Sequence, residues 1–106
     1  MQKLEDIREK IDQIDERMAE LFAKRINLIK DVSKLKHEQG LPIEDLKREE
    51  EILKKHSGRF SDPEDKAAYE RFQRELMSIS KDLQMEQQTT IDLQKEQQTN
   101  KNLPKL

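Results

Sequence analysis

The sequence predicts an all-α protein whose subunit has three helices, the first of them very long. Two observations lead to this prediction. Only two Gly and three Pro occur among the 106 residues, charged residues make up 42% of the chain, and helix-forming residue types dominate. Apolar side chains also recur at alternating spacings of three and four residues, which is the period of one face of a helix.

The first helix is predicted from about Lys3 to about Glu38. Gly40 supplies a C-terminal stop just beyond it, and Pro42 cannot continue a helix. At ~1.5 Å per residue this helix would be roughly 50 Å long. One seam along it is apolar at every position except Arg25. The seam consists of Leu4, Ile7, Ile11, Ile14, Met18, Leu21, Arg25, Leu28, Val32 and Leu35.

Two further helices follow. A short and highly charged helix is predicted to begin around Glu44 and to end before Ser57. A third helix is predicted to begin at Pro63, because Pro suits the first helical position and Asp62 or Ser61 can cap it. Its apolar stripe again has spacings of three and four, at Tyr69, Phe72, Leu76, Ile79 and Leu83.

The helical domain is predicted to cover residues 1–88, because the apolar stripe of the third helix stops after Leu83. Residues 89–106 are rich in Gln and Thr and poor in apolar residues, so we expect a frayed helix or a disordered tail. Near-copies begin at Asp82 and Asp92, but their spacing of ten residues matches no supercoil repeat.

The chain is poor in residues that could form a core. Hydrophobic residues account for only 32% of it, which is low for a packed globule. The rest of so small a chain cannot cover an amphipathic helix of roughly 50 Å. We therefore expect a homodimer in which a second copy completes the core.

Composition also excludes several classes of function. The formal net charge is −2 and acids alternate with bases, so nucleic acid is not an expected partner. Acids follow closely on the first Met and no apolar run approaches transmembrane length, so we expect no membrane association and a soluble, cytoplasmic protein.

Metal and cofactor chemistry are not expected either. There is no Cys, and His37 and His56 lie far apart without a second ligand at a suitable spacing. No Ser, His and Asp grouping suggests a triad, and no Gly-rich loop could cradle phosphates. Nucleophilic and phosphoryl-transfer reactions are thus disfavoured.

Arg25 interrupts the apolar seam and needs an anionic partner, because burying an unpaired cation is costly. It could extend its guanidinium to solvent or pair with an acid on another helix, or it could bind the carboxylate of a ligand. Lys36 lies eleven residues further on, within ~20° of the same face and roughly 16 Å away along the axis. Two long cations placed in this way can converge on one small anion.

Arg8 lies seventeen residues before Arg25, which is roughly 25 Å along the helix. It cannot reach the same pocket within its own chain. If two copies pack antiparallel across a two-fold axis, however, Arg8 of one chain can approach the pocket of the other. This geometry predicts shared sites.

The second and third helices supply further polar candidates. They form two groups, one on each helix, and each group includes two residues that are four apart and therefore share a helix face. Any one of these residues alone would usually be a polar side chain on the solvent-exposed surface of its helix. Acceptors beside donors suit a polyhydroxylated anion. The candidates are Asp45 and Glu49 with the neighbouring Arg48, and Ser80 with Gln84.

Taken together, these motifs resemble the all-helical chorismate mutase family. The resemblance covers residues 4–84 and depends on the whole set of motifs more than on any one of them. The motifs are LEDIREKIDQID at 4–15, LFAKR at 21–25, VSKLK at 32–36, LPIEDLKRE at 41–49, and Ser80-x-x-x-Gln84.

The resemblance implies an intertwined helical homodimer with two equivalent sites, each of which receives Arg8 from the partner chain. It also implies that Arg25 binds a carboxylate of chorismate. Lys36 would contact the second carboxylate region and the ether oxygen, which Gln84 would bind from the other side. The catalytic residues implied are therefore Arg25, Lys36 and Gln84.

The remaining implied contacts bind other parts of the substrate. Asp45 and Glu49 would hold the ring hydroxyl, and Arg48 and Ser80 would support the substrate carboxylate. The third helix could also be aligned with the family through Phe72 and Gln73, but this alignment would put Leu83 at the position of the expected Gln. We prefer the alignment through Ser80, because it retains both Ser80 and Gln84.

Rearrangement of chorismate to prephenate is unimolecular, so the resemblance implies an isomerase without a metal or cofactor. Two other functions stay open from sequence. Isochorismate pyruvate lyase resembles the same fold and uses a similar cationic pocket. A noncatalytic helical dimerisation or regulatory module is the alternative outside enzymes. Association with another enzyme of the shikimate pathway is a further expectation.

Overall fold

The computed structural model describes residues 2–101, which form three α-helices. Helix α1 spans Leu4–Gln39, α2 spans Leu46–Ser57 and α3 spans Pro63–Lys101. No strand occurs within the described range. The predicted all-α class and the very long first helix are confirmed.

A left-handed glycine ends α1. Gly40 has φ 66° and ψ 27°, a conformation that glycine adopts without steric cost. Its N–H donates to the carbonyl of His37, and the N–H of Leu41 donates to the carbonyl of Lys36 at 2.8 Å. Helix α1 therefore ends within one turn of Lys36, and a short connection leads from Gly40 to α2.

Short polar side chains start the other two helices. Asp45 caps α2 by accepting a hydrogen bond from the N–H of Arg48 at 3.1 Å. Asp62 accepts from the N–H of Glu64 at 2.8 Å, directly before α3 begins at Pro63. Both starts lie within two residues of their predicted positions.

Helix α3 continues well beyond the stripe that ends at Leu83. Of the predicted tail 89–106, residues 89–101 are helical, and residues 102–106 lie outside the described residues. Gln is a good helix former, and this part of α3 also contacts α1. His37 Nε2 lies 2.8 Å from Asp92 Oδ1, and Gln88 Nε2 donates to the carbonyl of Ser33 at 3.4 Å. The domain boundary at residue 88 stays a prediction.

Helix α3 is the central element, because it packs against both α1 and α2. The molecule is elongated, with extents of 80 × 32 × 15 Å. Within the described range Met77 is the one buried apolar residue. The other buried residues there are polar, namely Ser33, Ser57, Gln73, Ser80 and Gln84. The interior of this subunit therefore consists mainly of polar groups.

The apolar seam of α1 is largely uncovered. Ile14 is 59% exposed and Leu28 is 63% exposed, and the other apolar seam residues are all at least 40% exposed. An apolar groove of about 520 Å³ runs between α1 and α3 beside Arg25, with Met18, Phe22 and Phe72 in its walls. For residues 2–101, no helix has an apolar stretch long enough to cross a lipid bilayer.

Candidate active site

All three helices contribute to a polar cavity of about 230 Å³. It lies between the C-terminal half of α1, the start of α2 and the middle of α3. Seven of the eight site residues predicted from the sequence line it: Arg25, Lys36, Asp45, Arg48, Glu49, Ser80 and Gln84. Lys81 and five apolar side chains complete the wall, namely Ile29, Val32, Ile43, Ile52 and Met77.

Arg25 reaches the cavity from α1. Its guanidinium donates a hydrogen bond to Ser80 Oγ, and the hydroxyl of Ser80 donates in turn to the carbonyl of Leu76 at 2.8 Å. Burial lowers the pKa of Arg25, but a guanidinium stays protonated at neutral pH. Across residues 2–101, Arg25 forms no ion pair. Its charge is therefore not neutralised by an acid on another helix.

Lys36 reaches the cavity from the last turn of α1. Its ammonium donates to the carbonyl of Ile43 at 2.7 Å, which lies in the connection that follows Gly40. An ammonium has three donors, and this bond uses one of them. The bond to Ile43 holds the cation at the cavity wall and leaves donors for a ligand.

Helix α2 contributes two carboxylates that already have partners in the protein. One oxygen of Asp45 caps the helix by binding the N–H of Arg48, so Asp45 has a structural role as well as a candidate binding role. Glu49 Oε1 lies 2.9 Å from Lys81 Nζ on α3. Each carboxylate keeps a second oxygen that can accept a hydrogen bond.

Gln84 is buried at the cavity wall, with 5% of its surface exposed. Its side-chain oxygen has no hydrogen-bond partner in the described part of the chain, and an unsatisfied buried polar group costs about 1–3 kcal/mol. Its main-chain carbonyl accepts from Ser33 Oγ at 3.0 Å, and Ser33 is fully buried. The backbone of Gln84 is thus fixed, and its side chain lines the cavity. Leu83 does not line the cavity.

Arg8 does not take part in this cavity. It is exposed near the N-terminal end of α1, about seventeen helical residues or roughly 25 Å from Arg25. This separation within one chain is the one expected from the sequence. The proposed contribution of Arg8 to a partner's site stays a prediction.

Lys81 is the cavity residue that sequence reasoning missed. Its ammonium pairs with Glu49, and it lies 3.6 Å from Glu44 Oε1. These acids raise the pKa of Lys81, with the hydrogen bond to Glu49 as the largest cause. A signal was present, because Met77, Ser80, Lys81 and Gln84 are separated by three, four and seven residues and share one face.

The charges in the cavity indicate what it can bind. Four cationic side chains and two carboxylates line it: Arg25, Lys36, Arg48 and Lys81, with Asp45 and Glu49. A net positive pocket with two free acceptor positions suits a small anion that bears a hydroxyl group. The fold and the cavity therefore define a helical protein whose cavity has a size and charge that suit a small anion.

Comparison with known proteins gives the family. The family described as chorismate mutase type II matches residues 7–85, which is most of the chain. The chain therefore belongs to the chorismate mutase type II family, and the resemblance predicted from the sequence is confirmed.

Two curated relatives match about half of the chain. The chorismate mutase of Methanocaldococcus jannaschii is 46% identical over 52 residues, which is 49% of this chain and 52% of that protein. The T-protein of Haemophilus influenzae is 45% identical over 53 residues, or 50% of this chain and 14% of that protein. The chain thus spans about half of the first relative and a small part of the second. No solved structure matches it significantly.

Proposed function

We propose that this chain is a chorismate mutase, an isomerase that converts chorismate to prephenate in aromatic amino-acid biosynthesis. One observation carries the proposal: within the family match at 7–85, seven residues expected to bind chorismate line a single cavity. They come from three helices and from positions up to 59 residues apart in the chain, between Arg25 and Gln84. Such convergence is not a consequence of helix formation alone.

The cations bind the two carboxylates of the substrate. Arg25 has no acid partner within residues 2–101 and points to the hydroxyl of Ser80, so its charge is available to one carboxylate. Arg48 lines the same cavity from α2. Fixing both carboxylates holds the flexible substrate in the compact conformer that reacts, which lowers the entropic cost of the transition state.

Lys36 and Gln84 act on the ether oxygen. The C–O bond breaks in the rearrangement, so negative charge develops on this oxygen in the transition state. Lys36 approaches from α1 and Gln84 from α3, and both carry N–H donors. Donors that are already oriented stabilise the developing charge more than the ground state, and this difference accelerates the reaction. No proton has to be transferred.

Asp45 and Glu49 bind the ring hydroxyl. Each uses one carboxylate oxygen within the protein, for the α2 cap and for Lys81 respectively. The remaining oxygen of each carboxylate can accept a hydrogen bond from the ring hydroxyl of the substrate. This contact sets the orientation of the ring between the two carboxylate-binding ends of the cavity.

The functional unit is proposed to be an intertwined homodimer. The apolar seam of α1 and the groove beside Arg25 are exposed in one subunit, and burying them would gain roughly 25 cal/mol per Å² of apolar surface. A second α1 packed antiparallel would also bring the partner's Arg8 toward this cavity. A cytoplasmic location stays a prediction from the sequence.

The T-protein match supports one further proposal about partners. That protein matches this chain over only 14% of its own length, so the sequence unit also occurs within a much longer protein. We expect that this chain can associate with another enzyme of the same pathway.

Direct assay of two substrates tests the function. Purified chain is incubated with chorismate and, separately, with isochorismate, and the products are separated by chromatography. We expect prephenate from chorismate at a rate far above the spontaneous one. Salicylate and pyruvate from isochorismate would instead identify a pyruvate lyase. No consumption of either substrate by the folded protein would support a noncatalytic dimerisation or regulatory module.

A further inference from the structure

Lys81 lies in the wall of the cavity, but the reaction proposed above assigns no role to its ammonium group. Its Nζ is 2.9 Å from Glu49 Oε1 and 3.6 Å from Glu44 Oε1. The side chains of Lys81 and Glu49 are 33% and 20% exposed, whereas that of Glu44 is 60% exposed. The pair with Glu49 is therefore the shorter and the better shielded of the two contacts, and both of its side chains line the cavity.

Helix α2 is attached to the rest of the subunit mainly through α3. It has twelve residues and packs against α3, and within the described chain it makes no close approach to α1. A Glu side chain has three rotatable bonds and loses considerable entropy when it is fixed. In the part of the chain that the structure describes, Lys81 is the one ion-pair partner of Glu49.

We propose that Lys81 is a positioning residue that holds the Glu49 carboxylate, through one oxygen, so that the other oxygen accepts a hydrogen bond from the substrate hydroxyl. This role rests on the proposed function, because it names a substrate hydroxyl as the group that Glu49 binds. Lys81 itself does not contact the substrate. Its effect on turnover passes entirely through Glu49.

The charge balance of the cavity supports this role. With Lys81 present, four cations and two carboxylates line the cavity. Without Lys81, Glu49 would present an uncompensated negative charge to a substrate that carries two carboxylates, and like charges at short range repel each other. Lys81 thus makes it possible to place a carboxylate acceptor in a site for a dianion.

A double-mutant cycle tests the inference. Chorismate turnover and urea unfolding are measured for the wild type, Lys81→Met, Glu49→Gln and the double variant, with Lys81→Arg as the conservative variant. Lys66→Met is the matched control, because Lys66 is an exposed lysine on the same helix outside the cavity. Met retains the length of the Lys stem without its charge.

We expect Lys81→Met to lower kcat/KM about tenfold, while Lys81→Arg retains most of the activity and Lys66→Met retains all of it. In the Glu49→Gln background, Lys81→Met should have no further effect, because the group through which it acts is already neutral. The loss should appear in KM and kcat together, since Glu49 orients the substrate before and during the reaction.

Three results would overturn the proposed role. If Lys81→Met and Glu49→Gln lower kcat/KM independently, so that their effects add in the double variant, then Lys81 contacts the substrate directly. A lower unfolding free energy with unchanged kcat/KM would mean that the ion pair only attaches α2 to α3. An inactive wild type would remove the proposed function as well, whereas either of the first two results, obtained with an active wild type, would remove this inference alone. If Lys81→Met does not fold, Lys81→Gln in the two Glu49 backgrounds gives the same comparison, because Gln also removes the charge.

Discussion

Arg25 on α1 donates a hydrogen bond to Ser80 on α3, so this partly buried cation is bound to a neutral hydroxyl and not to an acid. The hydroxyl of Ser80 is itself directed to the carbonyl of Leu76. The contact fixes the direction of the guanidinium without cancelling its charge. The protein thus keeps a positive charge at a partly desolvated position, where it can attract a carboxylate strongly.

Arg25→Ala should therefore abolish most activity without unfolding the protein. Loss of a preoriented charge donor reduces turnover by on the order of a hundredfold or more, whereas removal of a partly buried, unpaired cation costs little stability or gains some. Steady-state kinetics and urea unfolding measure the two effects. Arg17→Ala is the matched control, since Arg17 is exposed on the same helix and, within residues 2–101, pairs only with Glu20. Full activity of Arg25→Ala would favour a noncatalytic module.

Ser33 should contribute to stability through two hydrogen bonds that join α1 to α3. Its hydroxyl donates to the Gln84 carbonyl and its own carbonyl accepts from Gln88. Ser33→Ala removes the first bond and leaves a buried carbonyl without that partner, so we expect the unfolding free energy to fall by about 1 kcal/mol or somewhat more. Ser78→Ala, at an exposed position of α3, is the control for urea unfolding. Equal stabilities of the two variants would contradict the role of Ser33.

Asp45 should show separable effects on stability and on activity. Asn caps a helix about as well as Asp, whereas Ala costs about 1 kcal/mol. Asp45→Asn should therefore keep the unfolding free energy and lower kcat/KM, while Asp45→Ala should lower both. Asp62→Ala, which removes the cap of α3 outside the cavity, should lower stability alone. If Asp45→Asn has wild-type kinetics, then Asp45 is only a helix cap.

The pH dependence should be flat near neutrality. Gln84 does not titrate, so turnover should persist across neutral pH, and a rate that collapses between about pH 5 and pH 7 would contradict its assignment.

The stability of the protein should depend on the charge of Lys81, because the acids beside Lys81 raise its pKa above the ordinary value of 10.5. The stabilisation that follows from this raised pKa is fully present below the pKa of Lys81 in the unfolded chain. It is lost as the pH rises through the pKa of Lys81 in the folded protein.

Urea unfolding of wild type and Lys81→Met at several pH values checks the predicted effect of the raised pKa of Lys81 on stability. The difference in unfolding free energy between them should be constant from neutral pH up to about pH 9 and should shrink only above about pH 10.5. A difference that disappears near neutral pH would show that Lys81 is not charged in the folded state.

The sequence predicted the elements and most of the cavity because the relevant signals are local. The seam interruption at Arg25 and the stop at Gly40 can be recognised from residue type and spacing alone. The pairing of Lys81 with Glu49 could not, because it depends on how α2 and α3 pack against each other. A lysine on a charged helix is most often solvated surface, and only its tertiary partner distinguishes this one.

The C-terminal half of α3 was difficult to predict for a different reason. Apolar periodicity ends at Leu83, and that signal marks a packed face, not a helix as such. Gln, Lys and Glu still favour the helical backbone, and polar contacts such as His37 with Asp92 hold this part of α3 against α1. A segment that packs through hydrogen bonds has no apolar pattern to reveal it.

Subunit exchange tests the shared, Arg25-centred site most directly. Arg8→Ala and Arg25→Ala chains are purified separately, mixed in equal amounts under exchange conditions, and assayed with chorismate. A heterodimer would have one site with both lesions and one intact site, so random exchange should restore roughly a quarter of wild-type activity. No recovery, despite demonstrated exchange of subunits, would contradict the contribution of Arg8 to the partner's cavity.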